Sequence, residues 1–386
     1  MAQNFRLKIM LKIIPVIITF ALLAWVKLPS EKLVTNDKDV SPAFTIDGPY
    51  VLYRGDSIVV QYIDSADGVL SVRSQQLQQS QRETVQLVVN SDIPGKTFLV
   101  KLRPKHVPEK STYSKPKKMM VVSDIEGEFA AFRKLLQGNG VMDENFQWSF
   151  GENHLVLVGD FVDRGTQVTE LLWLIYSLEA QAEAAGGKVH FILGNHEIMN
   201  MNGDHHYVHP RYFAHADTMK VPYLDLFGKH AELGRWFSSK NVSERIGNVL
   251  FAHGGFSPLI NQIQIPLKDM NDTVRLYYTD TSSTLPSDYS KLLFSDHSPF
   301  WYRGYYHGIP RATSAQVDST LNLYSSRYII TGHTVVSKQI VSLYHGKVIN
   351  TDVPHKLGYS EALMVEGNKM NRVNANGEKI EIVLKD

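Results

Sequence analysis

The sequence predicts an α/β protein, a sandwich of two β-sheets flanked by helices, preceded by a small antiparallel β domain. Three observations predict it. Past Lys118 short apolar runs alternate with sharp glycine-bearing turns and stretches of helical periodicity, the rhythm of strand, turn and helix. From Phe44 to Leu102 the rhythm changes to brief alternating runs punctuated by turn signals. And 386 residues, 43% hydrophobic and 20% charged, exceed one typical domain while keeping ordinary globular proportions.

In chain order, residues 1–29 read as a signal peptide or an N-terminal anchor. Arg6, Lys8 and Lys12 precede an uncharged apolar run from Ile13 to Val26, a basic region followed by a hydrophobic one. That run is shorter than the ~18–20 residues of a full span, which favours export with cleavage; retention would tether the chain to a membrane facing the periplasm. Residues 30–43 are polar and read as a linker. Residues 44–102 form the small β domain: apolar runs at Tyr50–Tyr53, Ser57–Tyr62, Val69–Val72, Val85–Val89 and Thr97–Val100 are divided by turns at Arg54-Gly55-Asp56, Ala66-Asp67-Gly68 and Ile93-Pro94-Gly95. Residues 103–118, rich in Lys and Pro, read as a second linker.

Residues 119–386 carry the larger domain. Met119–Ser123, His154–Val158 and Val189–Leu193 are buried-strand runs. Each leads into a polar block, and the first two are followed by helical stretches at Phe129–Leu136 and Thr166–Ala185. Val249–Ala252 and Tyr328–Thr331 repeat the arrangement, and Gln339–Tyr344, Lys347–Thr351 and Ala362–Val365 read as closing strands. Ligands of open α/β sheets bind beyond the carboxyl ends of strands, so these blocks point at one site.

The blocks are Asp124-Ile125-Glu126-Gly127, Gly159-Asp160-Phe161-Val162-Asp163-Arg164-Gly165, Gly194-Asn195-His196-Glu197, His253-Gly254-Gly255, Trp301-Tyr302-Arg303-Gly304 and Gly332-His333-Thr334. Carboxylates at strand ends suit cations, an anionic oxygen such as that of Asp160 suits a bridging position, and the planar forks of Arg164 and Arg303 suit a phosphoryl group. Any one of these residues has a bland alternative as a helix cap, a structural histidine or a solvated arginine. Their recurrence at successive strand ends does not. Composition narrows the chemistry: fifteen histidines and no cysteine exclude thiolate metal sites, cysteine nucleophiles and disulfides, and a formal charge of +1 offers no global field for nucleic acid.

Taken in order, the blocks resemble the signature GDxHG, GDxxDRG, GNHE, HGG, RG and H of the phosphoprotein phosphatases, within the calcineurin-like metallophosphoesterases. The continuation Ile198–Asp204 and the Trp-Tyr-Arg-Gly block are similar to the bacterial "Shewanella-like" branch. The resemblance spans about 210 residues, from Asp124 to His333. It implies an α/β/β/α metallophosphoesterase sandwich and a metal-dependent phosphatase in which a metal-bridging hydroxide attacks phosphorus. It implies that Asp124, Glu126 and Asp160 hold one divalent cation and Asp160, Asn195, His253 and His333 the other. It also implies that His196, steadied by Asp163, protonates the leaving oxygen while Arg164 and Arg303 hold the phosphate. Phosphoproteins are the implied substrates, phosphotyrosine included; nucleotide or small-molecule phosphatase and pyrophosphohydrolase activity, or an inactive binding protein of the same fold, are the competing readings.

The first block departs from the pattern twice, with Ser123 for glycine and Glu126 for the histidine ligand. A carboxylate for an imidazole adds one negative charge, which favours harder cations, Mn²⁺ first and Mg²⁺ next, over iron or Zn²⁺. Two further stretches stay open: the imidazole-rich Asp204–His215 lines a substrate pocket or forms a surface loop, and Tyr305, Tyr306 and His307 shape a pocket or serve packing.

Overall fold

The computed structural model describes residues 45–282, 284–308 and 311–382; the segments read as signal or anchor and first linker lie outside them. Seventeen strands are present among the described residues: β1 Thr45–Arg54, β2 Ser57–Ala66, β3 Val69–Gln78, β4 Gln86–Asn90, β5 Thr97–Lys101, β6 Thr112–Tyr113, β7 Lys118–Val122, β8 His154–Val158, β9 Lys188–Ile192, β10 Ser243–Ile246, β11 Val249–Ala252, β12 Tyr328–Thr331, β13 Val341–Leu343, β14 Val348–Asn350, β15 Glu361–Glu366, β16 Lys369–Asn374 and β17 Lys379–Glu381. The helices nearest the site are α1 Phe129–Gly138, α2 Val168–Ala184, α3 Asn195–Asn202, α4 Pro210–Met219 and α5 Glu232–Phe237.

Two six-stranded sheets form the sandwich, in the orders β17-β16-β15-β7-β8-β9 and β13-β14-β12-β11-β10-β6. The strands that matter for the site run parallel within each sheet: β7, β8 and β9 in the first, and β11, β12 and β14 in the second. Strand alternation explains why two layers form. On β7, Met119 and Val121 join Val156, Val158, Val249, Phe251, Ile330 and Ile349 between the sheets, whereas Met120 and Val122 face the other way into the helix-covered core. Both faces are apolar, so both must be covered.

The N-terminal strands make a three-stranded antiparallel sheet, β1-β2-β3, and a β4-β5 hairpin. Their apolar faces pack on the helices of the sandwich. Trp173 of α2 donates from Nε1 to the carbonyl of Pro49 at 2.7 Å, and Phe98 of β5 lies 5.2 Å from Phe146, ring centre to ring centre. A buried carboxylate, Glu232 of α5, gathers Arg82, Tyr53, Tyr176 and His106 from both sides of this contact. Among the described residues no helix is long and apolar enough to cross a membrane.

Candidate active site

Parallel strands deliver their carboxyl ends to one edge of the sandwich, and every polar block sits there. Asp124 follows β7, Asp160 follows β8, Asn195 opens α3 after β9, and His253 and His333 follow β11 and β12. The chain must turn away at once to let side chains point back, which forces unusual backbone. Asp124, Glu126, Asp160, Asp163, Arg164 and His333 all have φ between 48° and 71°, a left-handed region costly for residues with a Cβ. Six such residues in one site mark backbone strained for geometry. Two glycines let the loops close: a Cβ on Gly159 would stand 2.6 Å from Gly194 and from His253 Nδ1, and one on Gly332 would meet Asp124 Oδ2 at 2.3 Å.

Glu197 locks the loops together. Fully buried, it accepts the amide N–H groups of Asp160, Phe161 and Gly194 at 2.9, 2.7 and 2.8 Å. Three otherwise unsatisfied donors are thereby paired by one carboxylate.

The donor set suits a cation. His253 gives its Nδ1 proton to the carbonyl of Val158 at 2.6 Å, which leaves a lone pair on Nε2. That lone pair faces Asp160 Oδ2 at 2.9 Å and Asn195 Oδ1 at 3.2 Å. Three acceptors directed at one another repel unless a positive charge lies among them. Metal bonds of ~2.1 Å put neighbouring ligand atoms ~3 Å apart, which matches. Ligand atoms of Asp160, His253 and His333 fall within 4.8 Å of one another, as do those of Glu126, Asp160 and His196. His333 is oriented by Nε2, which meets the carbonyl of Trp301 at 3.1 Å.

Electrostatics agree. Burial, and then the charge of Asp352, push the Asp124 carboxyl well above its usual range; burial, with Glu197 adding to it, pushes Asp160 up to about 8. Burial holds His333 well below the ordinary imidazole value, helped by neighbouring His253 and Arg303. Neutral imidazoles and crowded carboxyls are what a divalent ion selects.

Beside this cluster His196 Nδ1 is 2.6 Å from Asp163 Oδ2, and its Nε2 is 3.7 Å from Asp160 Oδ2. Asp163 is held in turn by Asn200 at 2.8 Å, and Asn200 by the Tyr223 hydroxyl at 2.7 Å. Arg303 Nη1 donates to the carbonyl of His333 at 2.7 Å, which fixes its fork. Arg164 lies over the Tyr207 ring, 5.1 Å from its centre, and pairs with the carboxylate of Glu126.

The structure thus brings together all ten residues singled out from the sequence: Asp124, Glu126, Asp160, Asp163, Arg164, Asn195, His196, His253, Arg303 and His333. Of the open stretches, His215 is buried against Asp47 beneath the N-terminal sheet, and His209 accepts the Arg211 amide to cap α4. Tyr207, in the same stretch, does border the site. Tyr305 and Tyr306 are wholly buried and serve packing. Sequence reading missed the Asn200–Tyr223 support and Asp352. The latter follows β14 as the other site residues follow their strands, so the strand-end rule, carried one strand further, reaches it.

Residues 117–337 match the calcineurin-like phosphoesterase family. The chain belongs to that family, in the Shewanella-like branch of the phosphoprotein phosphatases, and is a metal-dependent phosphatase. Shewanella-like protein phosphatase 1 of Plasmodium berghei is 24% identical over 68% of this chain and 75% of its own length. Shewanella-like protein phosphatase 2 of Arabidopsis thaliana is 24% identical over 65% of this chain and 74% of its own. Among solved structures, the cold-active protein-tyrosine phosphatase of a psychrophilic Shewanella species superposes with a TM-score of 0.78 at 33% identity, covering 87% of this chain and 99% of that one.

Proposed function

We propose that the protein hydrolyses phosphomonoesters on proteins, with phosphotyrosine a preferred substrate. The observation that carries this is Tyr207. Its ring, 40% exposed, lies 4.9 Å from the His196 ring and under the Arg164 guanidinium, a flat wall beside both proton donor and phosphate fork. An aromatic leaving group can stack where an aliphatic one gains little. The protein-tyrosine phosphatase activity in the name of the Shewanella structure supports the same reading.

The residues divide the work. Asp160, Asn195, His253 and His333 would hold one cation, and Asp124, Glu126 and Asp160 the other. When bound, two divalent cations supply charge for the phosphoryl oxygens and an ionised water as nucleophile; the excess of carboxylates favours Mn²⁺. Arg164 and Arg303 receive the non-bridging oxygens in bidentate geometry and gather the charge that develops on them. His196, its Nδ1 proton fixed on Asp163, gives the Nε2 proton to the ester oxygen as the P–O bond breaks and the electron pair moves to that oxygen.

The test is turnover of phosphotyrosyl and phosphoseryl peptides, p-nitrophenyl phosphate and nucleotides with Mn²⁺, Mg²⁺, Zn²⁺ or EDTA. We expect the highest kcat/KM on phosphotyrosyl peptides with Mn²⁺, and its loss in Tyr207→Ala. A preference for nucleotides points to small-molecule scavenging instead, and tightly bound iron or zinc in the purified protein overturns the manganese assignment.

The basic-then-apolar order of residues 6–26 supports export, with the catalytic domain in the periplasm. Fractionation of cells that express the full chain tests this, since recovery in the cytoplasmic fraction is incompatible with it.

A further inference from the structure

Trp301 and Arg303 belong to two surfaces at once. On the side of the candidate metal cluster, the Trp301 carbonyl meets His333 Nε2 at 3.1 Å, the two rings stand nearly perpendicular at 5.7 Å, and Arg303 Nη1 donates to the His333 carbonyl at 2.7 Å. Both residues also line a cleft of about 680 Å³, together with Tyr302, His297, His307 and Arg311. The cleft therefore starts at the phosphate fork.

Its walls carry positive charge without a counterion. Arg303 is anchored by the His333 carbonyl and, at 3.3 Å, by Thr334 Oγ1; Arg311 is anchored by the carbonyl of Tyr306. Neutral oxygens orient a guanidinium without cancelling its charge, and a fork held in place loses little freedom when an anion arrives. Among the described residues neither arginine pairs with a carboxylate, and Asp296, the one carboxylate that lines the cleft, bonds to neither. His297 and His307 are exposed and add to the positive charge when protonated. Trp301 and Tyr302 contribute apolar surface. Tyr302 keeps its place because residue 304 is glycine: a Cβ there would stand 2.2 Å from the Tyr302 hydroxyl oxygen.

We propose that this cleft receives the residues flanking the phosphorylated one and selects peptides that carry acidic side chains there. The inference rests on the phosphoprotein reading above and gives it a substrate class. With the phosphoryl group on Arg303, the chain on one side of it enters the cleft, where a carboxylate meets Arg311 in a charge-assisted contact. A basic flank meets like charge and is disfavoured. The two arginines thus have different tasks: Arg303 acts on every phosphoester, Arg311 only on a substrate with an anionic flank. A substrate with no flank, such as p-nitrophenyl phosphate, does not use the cleft.

The experiment is steady-state kinetics of the full chain with Mn²⁺ on three phosphotyrosyl peptides of equal length, flanked by Glu, Ala or Lys, with p-nitrophenyl phosphate as the control. Wild type should favour the Glu-flanked peptide over the Lys-flanked one by about 5- to 10-fold in kcat/KM, mainly through KM, and the preference should shrink as salt is raised. Arg311→Glu should reverse the order and leave turnover of p-nitrophenyl phosphate at the wild-type level. A merely structural role for Arg311 predicts equal losses on all four substrates. Equal kcat/KM on the Glu- and Lys-flanked peptides, or an order that Arg311→Glu leaves unchanged, would overturn the inference and leave the phosphoprotein reading standing. Turnover of p-nitrophenyl phosphate with none of any phosphopeptide would sink both. Should Arg311→Glu lose p-nitrophenyl phosphate turnover as well, Arg311→Gln decides the matter: the cleft predicts that the order flattens, and an order kept at full size rules it out.

Discussion

Asp163 Oδ2 and His196 Nδ1 are 2.6 Å apart, and both residues are buried. The pair fixes the imidazole so that Nε2 faces the cluster, as a proton donor to a leaving oxygen requires. His196→Asn is expected to lower kcat by about 10²- to 10⁴-fold while metal content stays at the wild-type level. Asp163→Asn should lose less with p-nitrophenyl phosphate, whose leaving group needs little protonation, than with a phosphoseryl peptide. Equal losses on the two substrates would mean that His196 is not the acid, and loss of metal in His196→Asn would make it a ligand.

How far the sequence could be read depended on range. Strand runs from Met119, His154, Val189, Val249 and Tyr328 are local patterns, and their strand-end residues meet because parallel strands share a direction. Pairings across the site are not local. Glu126 pairs with Arg164 from a separate loop, and Ser123 meets Thr351 from the facing sheet. Neither leaves a mark in periodicity. The imidazole-rich stretch shows the converse, since His205, His206, His209 and His215 look alike in sequence yet diverge once α4 carries His215 beneath the N-terminal sheet to Asp47.

The two arginines should fail differently. Arg303 is held by the His333 carbonyl at 2.7 Å, so Arg303→Lys removes the fork but keeps a charge on a flexible arm. One bidentate charged contact is worth ~1.5–3 kcal/mol, or about 10- to 150-fold in kcat/KM. Arg164 is half-exposed and leans on Tyr207, so Arg164→Lys should cost less, mainly in KM, and should weaken phosphate inhibition by the same factor. Steady-state kinetics with phosphate as competitor checks both; an unchanged phosphate inhibition constant in Arg303→Lys would remove that residue from the clamp.

Glu232 tests the seam between the N-terminal sheet and the helices. Fully buried, it accepts from Arg82 at 2.7 and 2.9 Å, from Tyr176 at 2.7 Å and from Tyr53, and it meets His106 Nε2 at 2.8 Å. Burial works against its charge, but His106, Arg82 and Tyr176 together hold its carboxyl below the usual range. Glu232→Ala strands the part-buried Arg82 guanidinium and leaves Tyr176 without its acceptor, and should cost about 3 kcal/mol in urea unfolding. Arg82→Met with Glu232→Leu should recover part of that loss. A lone Glu232→Ala with an unchanged midpoint would show that the seam is held by apolar packing.

Asp160 gives the metal-free protein an inverted acid response. Burial is the main cause that lifts its carboxyl from 3.8 to about 8; His196 opposes the shift and Glu197 adds to it. Between about pH 4 and pH 8 the folded chain therefore binds a proton at Asp160 that the unfolded chain does not. Stability contributed by this group is fully present at low pH and is lost as pH rises through that window. Burial lifts Asp352 to about 6, which acts in the same direction, while buried His333, held well below 6.5, acts in the opposite one. Replacing Asp160 alone isolates its share. In EDTA, the melting temperature of Asp160→Asn should gain on wild type steadily from pH 4 to pH 8, and the gain should vanish when wild type is loaded with Mn²⁺, because bound cations replace the proton. Parallel curves for the two metal-free proteins would mean that Asp160 ionises freely, and the crowding of carboxylates that makes this edge of the sandwich a cation site would lose its main electrostatic support.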